Sequence, residues 1–360
     1  MAADTVHPDP TPAGKATQGT PTTFSAFVVE RNGDSMDQGI RTLTFDELPA
    51  GQVRIRVDWS AVNYKDGMVT QVGNRVARIS PLVPGVDLVG TVVAADEYEI
   101  GQPVIVHGYE LGVAHHGGFA EYAQVPANWV VPLPNGLSAR RAAIIGTAGF
   151  TAALSLRRLE YHGLTPDKGL VLVTGASGGV GSMSVALLAS KGYDVVASTG
   201  KTAEHPYLIG LGAAQVIGRD DLGSEPDRVL GPERWAGAID CVGGRTLDAV
   251  LRTLRYGAGV AASGLTGGNA LNTSVYPFIV RSVALLGIDS VKTAIAERRA
   301  VWGELAHAYD DGVLDNMASE EIGLDQLPAA LSTIIAGGTR GRILVRPAPW
   351  ADRRHPASTG

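Results

Sequence analysis

The sequence predicts an α/β fold, in which a doubly wound parallel sheet is joined to a second, β-rich domain. The first observation behind this prediction is a strand, a glycine turn, a helix and a second strand in one unit from Val171 to Lys201. The second is a change of pattern near residue 147, where short alternating segments give way to strands that alternate with helices. Strands that alternate with helices build parallel sheets, whereas short alternating segments split by Gly and Pro build β-rich domains.

The unit from Val171 to Lys201 has the pattern of a dinucleotide site. Val171 to Val173 is an apolar, β-branched run, as expected of a strand that is buried on both faces. Glycines follow at 175, 178, 179 and 181, and they allow the backbone to approach a pyrophosphate closely. The helix that starts there offers free N–H groups and the positive end of its dipole to the phosphates. Strand, turn and helix in this order make the motif stronger than a lone glycine pattern.

The second strand of the unit favours NADPH over NADH. It covers 194–198 and ends about twenty residues after the turn, where NAD enzymes usually place an Asp or Glu on the ribose 2′-hydroxyl. Here Ser198, Thr199, Gly200 and Lys201 follow instead. Hydroxyls and an ammonium bind a 2′-phosphate, which a carboxylate would repel. The alternative is that Lys201 is an ordinary solvated lysine.

Composition indicates a soluble enzyme of the cytoplasm. With 360 residues, of which 45% are hydrophobic, the chain is long enough for two domains with full cores. The formal charge of −6 argues against a nucleic-acid partner, and no apolar run of about eighteen residues is available to span a membrane. Cys241 is the only cysteine, so an intrachain disulfide is impossible.

The chain divides into five stretches. Residues 1–23 and 347–360 are rich in Pro and small or polar residues, and we expect a disordered leader and a disordered tail. Residues 24–146 form the β-rich domain, 147–284 the nucleotide-binding domain, and 285–346 return to the first domain. In the second stretch the predicted strands lie at 171–173, 194–198, 215–217, 237–241, 260–263 and 283–287. Later segments are predicted as helices at 294–309 and 327–335 and a strand at 342–345.

Several motifs together resemble the medium-chain dehydrogenase/reductase superfamily, and within it the quinone-oxidoreductase-like branch that includes bacterial NADPH-dependent acryloyl-CoA reductases. The resemblance covers about residues 24 to 346. It implies a GroES-like catalytic domain, a Rossmann domain and reduction of an activated C=C bond, most specifically acryloyl-CoA to propanoyl-CoA. The motifs, besides the glycine turn, are Asn63-Tyr64-Lys65-Asp66, the segments 84–90 and 145–152, and Gly287-Ile288-Asp289-Ser290.

The resemblance also implies which residues hold the cofactor. It places Tyr64 at the nicotinamide end, and it places Thr147 and Phe150 in the substrate cleft, although Phe150 fits plain packing between domains equally well. In related reductases a basic residue near Gln215 also contacts the cofactor, and that contact is in doubt here. The other implied cofactor contacts are Ser177, Gly178, Gly179 and Val180 at the pyrophosphate, Thr199, Gly200 and Lys201 at the adenosine phosphate, and Leu265, Ile279 and Ser290 at the nicotinamide half.

The sequence lacks the ligands of a catalytic zinc. Such a site needs about three Cys, His or carboxylate ligands, and a structural zinc site in related alcohol dehydrogenases needs four cysteines. Where zinc-dependent relatives carry Gly-His-Glu, this chain has Gly85-Val86-Asp87. His115 and His116 are adjacent, which is a poor spacing for two ligands of one ion. We therefore expect a metal-free mechanism.

Without a metal, hydrogen-bond donors must stabilise the enolate that forms when a hydride adds to the β carbon. Asn63 and Tyr64 follow a predicted strand at 53–59, where zinc-containing relatives place a metal ligand, and we expect both to be catalytic. The Tyr64 hydroxyl either fixes the nicotinamide ribose, donates to the enolate or relays a proton; the other interpretation is an aromatic side chain at a core edge. Asp66 and Asp87 are interpreted as structural, with Asp66 pairing with Lys65.

The identity of the acceptor stays open at this point. An acyl-CoA would need basic residues for its phosphates, and the candidates are Arg281, Arg298, Arg299, Arg340 and Arg342. A quinone or an enone is the alternative acceptor, and a redox-inactive NADPH-binding sensor is the alternative of another class. A homodimer is expected through the edge near 275–286, as in relatives.

Overall fold

The computed structural model describes residues 21–222 and 228–348. The predicted leader, apart from 21–23, and the predicted tail, apart from 347–348, lie outside the described residues. Within the described ranges the chain builds a β-hairpin, a mixed seven-stranded sheet and a parallel six-stranded sheet. No helix in these ranges is both long enough and apolar enough to cross a membrane.

The N-terminal part is β-rich, as predicted. The first two strands pair as an antiparallel hairpin with Thr23 opposite Thr44. The next strand lies in the middle of the seven-stranded sheet, and its buried positions alternate with exposed ones because only one face of its first half meets the core. The elements are β1 (Thr23–Asn32), β2 (Ser35–Thr44), β3 (Val53–Ala61), α1 (Tyr64–Met68), β4 (Asp87–Ala95), β5 (Pro103–His107), β6 (Tyr122–Val125), β7 (Val131–Pro132) and α2 (Ala139–Tyr161).

The second part is the predicted doubly wound sheet. Its strands are all parallel and lie in the order β10-β9-β8-β11-β12-β13. The order in which strands are added therefore reverses between β8 and β11. A crevice opens outside the carboxyl ends of the strands at such a switch point, and ligands bind there. The elements are β8 (Val171–Thr174), α3 (Gly179–Ser190), β9 (Val195–Thr199), α4 (His205–Gly210), β10 (Gln215–Gly218), β11 (Gly237–Asp240), α5 (Gly244–Thr253), β12 (Gly259–Ala262), α6 (Tyr276–Arg281) and β13 (Ala284–Gly287).

The last part returns to the β-rich sheet. β13 pairs with β12, so the parallel sheet continues to Gly287, and the predicted boundary between 284 and 285 cuts its last strand. Strand 342–345 then pairs with β3, which closes the seven-stranded sheet in the order β14-β15-β3-β4-β5-β7, with β6 also on β3. The elements are α7 (Ile295–Leu305), α8 (Asp311–Met317), β14 (Ala318–Ile322), α9 (Leu327–Ile335) and β15 (Arg342–Val345).

Helix α2 connects the two sheets and is kinked where it passes from one to the other. Ser138 caps its N-terminus by accepting a hydrogen bond from the Arg141 N–H. The kink is at Gly146, which has φ 46° and ψ −154°. A Cβ there would lie 2.7 Å from Asp87 Oδ2 and 2.8 Å from Arg342 Nη2, so both conformation and space require glycine. The kink lies at residue 146, where the sequence pattern changes, and we propose it as the boundary between the domains.

Candidate active site

A cavity of about 300 Å³ lies between the two sheets, at the carboxyl ends of the parallel strands. Several predicted site residues line it together, although they lie far apart in the sequence. They come from α1, from the kink of α2, from the start of α3 and from the segments after β12 and β13. Of the predicted residues, those in the cavity wall are Asn63, Tyr64, Thr147, Val180, Leu265 and Ser290.

The glycine turn has the shape that a pyrophosphate needs. Gly175 has φ +59°, and a Cβ on Gly181 would lie 2.3 Å from the carbonyl oxygen of Gly175. Gly178 is the N-cap of α3. Because glycine has no side chain, no side-chain hydrogen bond caps the first N–H groups of this helix. Ser177 is buried, and its hydroxyl exchanges a hydrogen bond of 3.0 Å with Thr199 Oγ1. Ser177 and Thr199 thus join the turn to the end of the second strand.

Two cations stand at the end of β9. Lys201 Nζ donates to the carbonyl oxygen of Thr339 at 2.6 Å. The Arg219 guanidinium lies against Gly200, where a Cβ would be 3.0 Å from Nη2. Desolvation lowers the pKa of Lys201; the charge of Glu204 opposes this shift, and the charge of Arg219 adds to it. A pair of cations at this place suits a phosphate, because the anion relieves their mutual repulsion.

Arg219 is a residue that sequence reasoning missed. The family resemblance points to Gln215, at the start of β10, and this residue is not basic. Arg219 follows the other end of that strand, and its N–H bonds the carbonyl oxygen of Thr199. Ligands bind at the carboxyl ends of parallel strands, so a basic residue just after 215–218 is better placed for the cofactor than one at residue 215.

Tyr64 lies in the first turn of α1, with its side chain in the cavity wall. Among the described residues its hydroxyl forms no hydrogen bond, so it remains available to a ligand. Asn63 differs, although it also borders the cavity. Its amide nitrogen donates to Ala61 O at 3.1 Å and to Asp87 Oδ2 at 3.0 Å, and its oxygen accepts from Arg342 Nη1.

This corrects the expectation that Asn63 is catalytic. A side-chain amide has only two N–H hydrogens, and those of Asn63 are both engaged within the protein. The residue therefore positions α1 and leaves no donor for a substrate.

Asp66 does not pair with Lys65, contrary to expectation. Its carboxylate accepts from the backbone N–H groups of Gly85, Val86 and Asn63 at 2.8 to 3.1 Å. Burial, and then the charge of Asp87, raise the pKa of Asp66 to about 7. Lys65 instead lines the cavity.

Phe150 is not part of the cavity wall. Its side chain is fully buried, and its ring lies 4.5 Å from that of His107 in an edge-to-face contact. Ile279 was also misplaced: it is 70% exposed on α6 and does not border the cavity. A helical residue can point to either domain, and only the packing of α2 decided that Phe150 faces the core.

Arg298 is fully buried behind the wall of the cavity. Its Nη2 donates to the carbonyl oxygens of Ser290, Val291 and Thr293, and its guanidinium lies over the ring of Tyr109. Trp302 Nε1 donates to His107 Nε2 at 2.8 Å, so that nitrogen is unprotonated. Burial and the charge of Arg298 lower the pKa of His107 well below its ordinary value. Arg298 therefore fixes the segment that carries Ser290.

The arginines predicted for CoA phosphates have other partners. Arg298 and Arg342 are buried, and Arg281 donates to the carbonyl oxygens of Arg252 and Gly231. Arg299 reaches Tyr98 and Val130, and Arg340 lies 4.0 Å from Glu204. None of these five borders the cavity. The expectation that they contact a substrate is not supported by their positions.

The two neighbouring histidines are internally bonded. His115 Nδ1 lies 2.8 Å from the His116 carbonyl oxygen, and His116 Nδ1 accepts from the Val83 N–H. Burial lowers the pKa of His116 to about 4, and burial raises the pKa of the Cys241 thiol to about 12. Over residues 21–222 and 228–348, no three His, Cys, Asp or Glu side chains are grouped so that they could hold a metal ion.

Comparison with known proteins places two stretches of the chain in described families. Residues 49–135 match the alcohol dehydrogenase GroES-like domain, and residues 179–307 match the zinc-binding dehydrogenase family. The putative quinone oxidoreductase YhfP of Bacillus subtilis is 45% identical over 327 residues, which are 90% of this chain and 99% of that protein. The acrylyl-CoA reductase AcuI of Ruegeria pomeroyi is 44% identical over 326 residues, 89% of this chain and 98% of that protein.

Solved structures show the same architecture. The YhdH oxidoreductase of Salmonella enterica, in complex with NADP, superposes with a TM-score of 0.87 at 43% identity and covers 90% of this chain and 100% of its own. YhfP of Bacillus subtilis, with NAD bound, gives a TM-score of 0.87 at 45% identity, with 91% and 100% covered. The two relatives were thus crystallised with different dinucleotides.

Proposed function

The chain belongs to the medium-chain dehydrogenase/reductase superfamily, in the branch that contains AcuI and YhfP, and from this premise we propose that it is an NADPH-dependent reductase of acryloyl-CoA. The membership confirms the resemblance inferred from the motifs, including the GroES-like and Rossmann domains. The product of the proposed reaction is propanoyl-CoA.

The cavity itself carries this proposal. Its wall joins Tyr64, from the β-rich domain, to Leu265 and Ser290, which follow strands of the parallel sheet. No Asp or Glu is among the described residues of that wall. A site without carboxylates suits a reaction in which the substrate becomes negatively charged, because a nearby carboxylate would oppose that charge.

The residues present fit NADPH. Apart from its chain neighbours, Gly178 has only the carbonyl oxygen of Gly175 within 4 Å of where a Cβ would lie, at 3.4 Å, so a pyrophosphate can approach the backbone of the turn closely. Ser177 to Val180 would hold the pyrophosphate, and Thr199 to Lys201 together with Arg219 would hold the 2′-phosphate. Leu265, Ser290 and Tyr64 would hold the nicotinamide half. When bound, NADPH supplies the hydride for the β carbon of the substrate.

Tyr64 and the other residues of the cavity wall would assist the steps that follow hydride transfer. As the hydride adds to the β carbon, the electron pair of the C=C bond moves toward the carbonyl group, whose oxygen becomes negative. The Tyr64 hydroxyl lies near the C=C bond of the bound substrate. A proton from this hydroxyl or from water is added to the α carbon and completes the product. We propose that zinc takes no part. Among the described residues, no three His, Cys, Asp or Glu side chains are grouped so that they could hold a metal ion, which supports this proposal.

A quinone is the second candidate acceptor, because the relative YhfP is named a putative quinone oxidoreductase. Hydride addition to a quinone also puts negative charge on an oxygen, so the same wall serves it. A redox-inactive NADPH sensor is the third candidate, and the free Tyr64 hydroxyl argues against it.

We further propose a homodimer through the edge of the parallel sheet. Among residues 21–222 and 228–348, β13 pairs on one side only, with β12. Apolar side chains beside it are exposed, and Ile279 reaches 70%. Exposed apolar patches of this kind often mark subunit interfaces. The patch consists of Val275, Tyr276, Ile279, Val280 and Leu285.

The acceptor is tested by following NADPH oxidation at one enzyme concentration with acryloyl-CoA, crotonyl-CoA, a simple enone and a benzoquinone. We expect the highest kcat/KM with acryloyl-CoA. Turnover of benzoquinone without turnover of acryloyl-CoA would establish the second candidate instead. Binding of NADPH with no turnover of any of the four would favour the sensor.

A further inference from the structure

The cavity wall contains one cation that the mechanism above leaves unused. Lys65 is half-buried and borders the cavity beside Tyr64. It is the only residue with a formal charge among the described residues that line the cavity. Its ammonium group forms no ion pair or hydrogen bond to any residue in the described ranges, and its neighbour Asp66 is bonded elsewhere. An ammonium without a partner in this wall can donate to an anionic or carbonyl oxygen bound in the cavity.

The fold holds Lys65 on the cavity side of α1. Asp66, on the other side of this short helix, accepts from the backbone of Gly85 and Val86. Gly67 packs against α9, where a Cβ would lie 2.7 Å from Ile335 Cγ1. The remaining positions, Tyr64, Lys65 and Met68, border the cavity. These contacts therefore fix the helix so that the face with Tyr64, Lys65 and Met68 borders the cavity.

Thr147 offers a second unused donor in the same wall. Its hydroxyl oxygen is buried and has no hydrogen-bond partner among the described residues. Buried hydroxyl groups are nearly always bonded, so an unbonded one facing a cavity indicates a ligand atom. The Thr147 N–H and the Asn63 side-chain amide both donate to Asp87 Oδ2, at 3.0 Å each. Asp87 thus holds the kink of α2 close to the start of α1.

We propose that Lys65 and Thr147 form the oxyanion site of this enzyme and donate hydrogen bonds to the carbonyl oxygen of the acceptor. This inference rests on the proposed reduction of a carbonyl-activated double bond. In it, negative charge grows on that oxygen while the hydride adds to the β carbon. Lys65 keeps its proton and stabilises the charge, and the proton for the α carbon comes from Tyr64 or water. Donors placed before the reaction stabilise such charge without reorganisation.

The proposal also supplies the hydrogen-bond donors that Asn63 cannot provide. Sequence reasoning assigned the donor role to Asn63, whose N–H groups are engaged within the protein. Thr147 shares Asp87 with Asn63, Lys65 follows Asn63 by two residues in α1, and the side-chain donors of Thr147 and Lys65 have no partner among the described residues. A charged and a neutral donor together match the pattern of an oxyanion site.

Three variants test the proposal. Lys65→Met removes the charge but keeps the apolar stem, Lys65→Arg keeps a cation, and Thr147→Val removes a hydroxyl that bonds nothing in the protein. Because that hydroxyl is unbonded, Thr147→Val leaves the internal hydrogen bonds of the fold intact. Each variant is assayed with acryloyl-CoA and with the acryloyl thioester of N-acetylcysteamine, which lacks the phosphates of CoA.

We expect Lys65→Met to lower kcat about 100-fold and Thr147→Val about tenfold, with both thioesters alike. Lys65→Arg should recover most of the loss, and the Kd of NADPH should stay within twofold throughout. A loss confined to acryloyl-CoA would overturn the proposal and make Lys65 a phosphate contact. A weaker Kd of NADPH in Thr147→Val would also overturn it and assign that hydroxyl to the cofactor.

A binding measurement separates this proposal from the proposed function. In the presence of NADP+, 4-nitrophenol is titrated into the wild type, and its visible absorbance shows how much binds as phenolate. An oxyanion site favours the phenolate, so the pKa of the bound phenol should fall by about one to two units, and Lys65→Met should abolish the fall. Failure of all acceptors with this preference intact would refute the proposed substrate alone. Absence of the preference in the wild type would refute the oxyanion site.

Discussion

Arg342 reaches from the last strand of the β-rich sheet to Asp87, with Nη2 3.5 Å from Oδ2, and both side chains are almost completely buried. The same guanidinium donates to the carbonyl oxygen of Ile144 at 3.0 Å, just before the kink of α2. Asp87 in turn accepts from the Thr147 N–H, just after the kink. This ion pair therefore fixes the passage from one domain to the other, and with it the cavity.

Removal of Arg342 should strongly destabilise the protein. In Arg342→Met the Asp87 carboxylate would stay buried without a counter-charge, which costs about 3 to 5 kcal/mol of the free energy of unfolding. Urea unfolding at pH 7 measures the loss. Arg140→Met is the matched control, since Arg140 makes exposed ion pairs with Asp315 and Glu321 that contribute about 0 to 1 kcal/mol each. Equal losses in the two variants would contradict the importance of the buried pair.

The cations at the end of β9 should select NADPH. Lys201→Ala and Arg219→Ala should each weaken NADPH binding about tenfold, because each removes a charge-assisted hydrogen bond to the 2′-phosphate. NADH lacks that phosphate, so its Kd should change less than twofold. Titrations followed by NADPH and NADH fluorescence give both constants. Lys191→Ala serves as control, since Lys191 pairs with Glu160 at the surface.

The wild type provides the first check of that selectivity. It should bind NADPH at least tenfold more tightly than NADH. Equal affinity for the two would overturn the assignment of residues 198–201, and the NAD bound in the relative YhfP makes this measurement necessary.

Tyr64→Phe should lower turnover without loss of cofactor. The phenol hydroxyl has no partner among the described residues, so its removal leaves the fold unchanged. We expect kcat to fall about 100-fold, in the range typical for loss of a general acid, while the Kd of NADPH changes less than twofold. Steady-state kinetics with acryloyl-CoA and a fluorescence titration measure the two quantities. An unchanged kcat would show that the Tyr64 side chain only packs at the edge of the core.

The buried Asp66 should make stability depend on pH. Its pKa is raised to about 7 in the folded state, mainly by burial, whereas the unfolded chain has an ordinary value near 4. Between these values the folded protein holds a proton that the unfolded chain has lost, so this contribution to the free energy of unfolding declines as pH rises from about 4 to about 7. Above pH 7 it is lost.

Asp66→Asn is the comparison that isolates this effect. Asparagine resembles the protonated acid and does not titrate, so the wild type should lose stability relative to Asp66→Asn as pH rises from 5 to 7. Urea unfolding at pH 5, 6 and 7 measures the difference. A difference that is constant over this range would show that Asp66 is ionised throughout, held by its three backbone N–H donors.

Removal of metal ions should leave the enzyme active. Dialysis against EDTA followed by assay in metal-free buffer should preserve the full kcat, because the proposed reaction uses hydrogen-bond donors at the acceptor oxygen. The dialysed protein is compared with the same protein after addition of Zn²⁺. Loss of activity that Zn²⁺ restores would refute the zinc-independent mechanism.

Local sequence was sufficient to predict most of the regular structure. Residues 327–335 and 342–345 are helix and strand at the predicted bounds, and the strand at 171–174 extends the prediction by one residue. Such segments are predictable because apolar periodicity and glycine placement act within a few residues. The hairpin of β1 and β2 was not predicted element by element, since its second strand exposes most of its residues and has little apolar alternation.

The site was only partly accessible from sequence. Tyr64, Thr147, Leu265 and Ser290 were assigned through motifs, and the fold brings them to one cavity. Asn63 was misjudged and the role of Phe150 was left open, because these roles depend on partners far away in the chain, Arg342 for the first and His107 for the second. Lys65 was set aside because Asp66 is its neighbour in sequence, although the two carboxylate oxygens bind backbone N–H groups.

The sequence by itself therefore determined the fold class, the glycine turn and the nature of the cofactor's binding segment, since these depend on short-range pattern and residue type. Tertiary structure alone decided which donors face the cavity. Hydrogen bonds are short and directional, and a donor such as the Asn63 amide is lost to a substrate once Asp87 and Ala61 occupy it. Whether a polar side chain is free depends on which hydrogen-bond partners the fold brings to it. For the Lys65 ammonium and the Thr147 hydroxyl, the fold brings no such partner among the described residues.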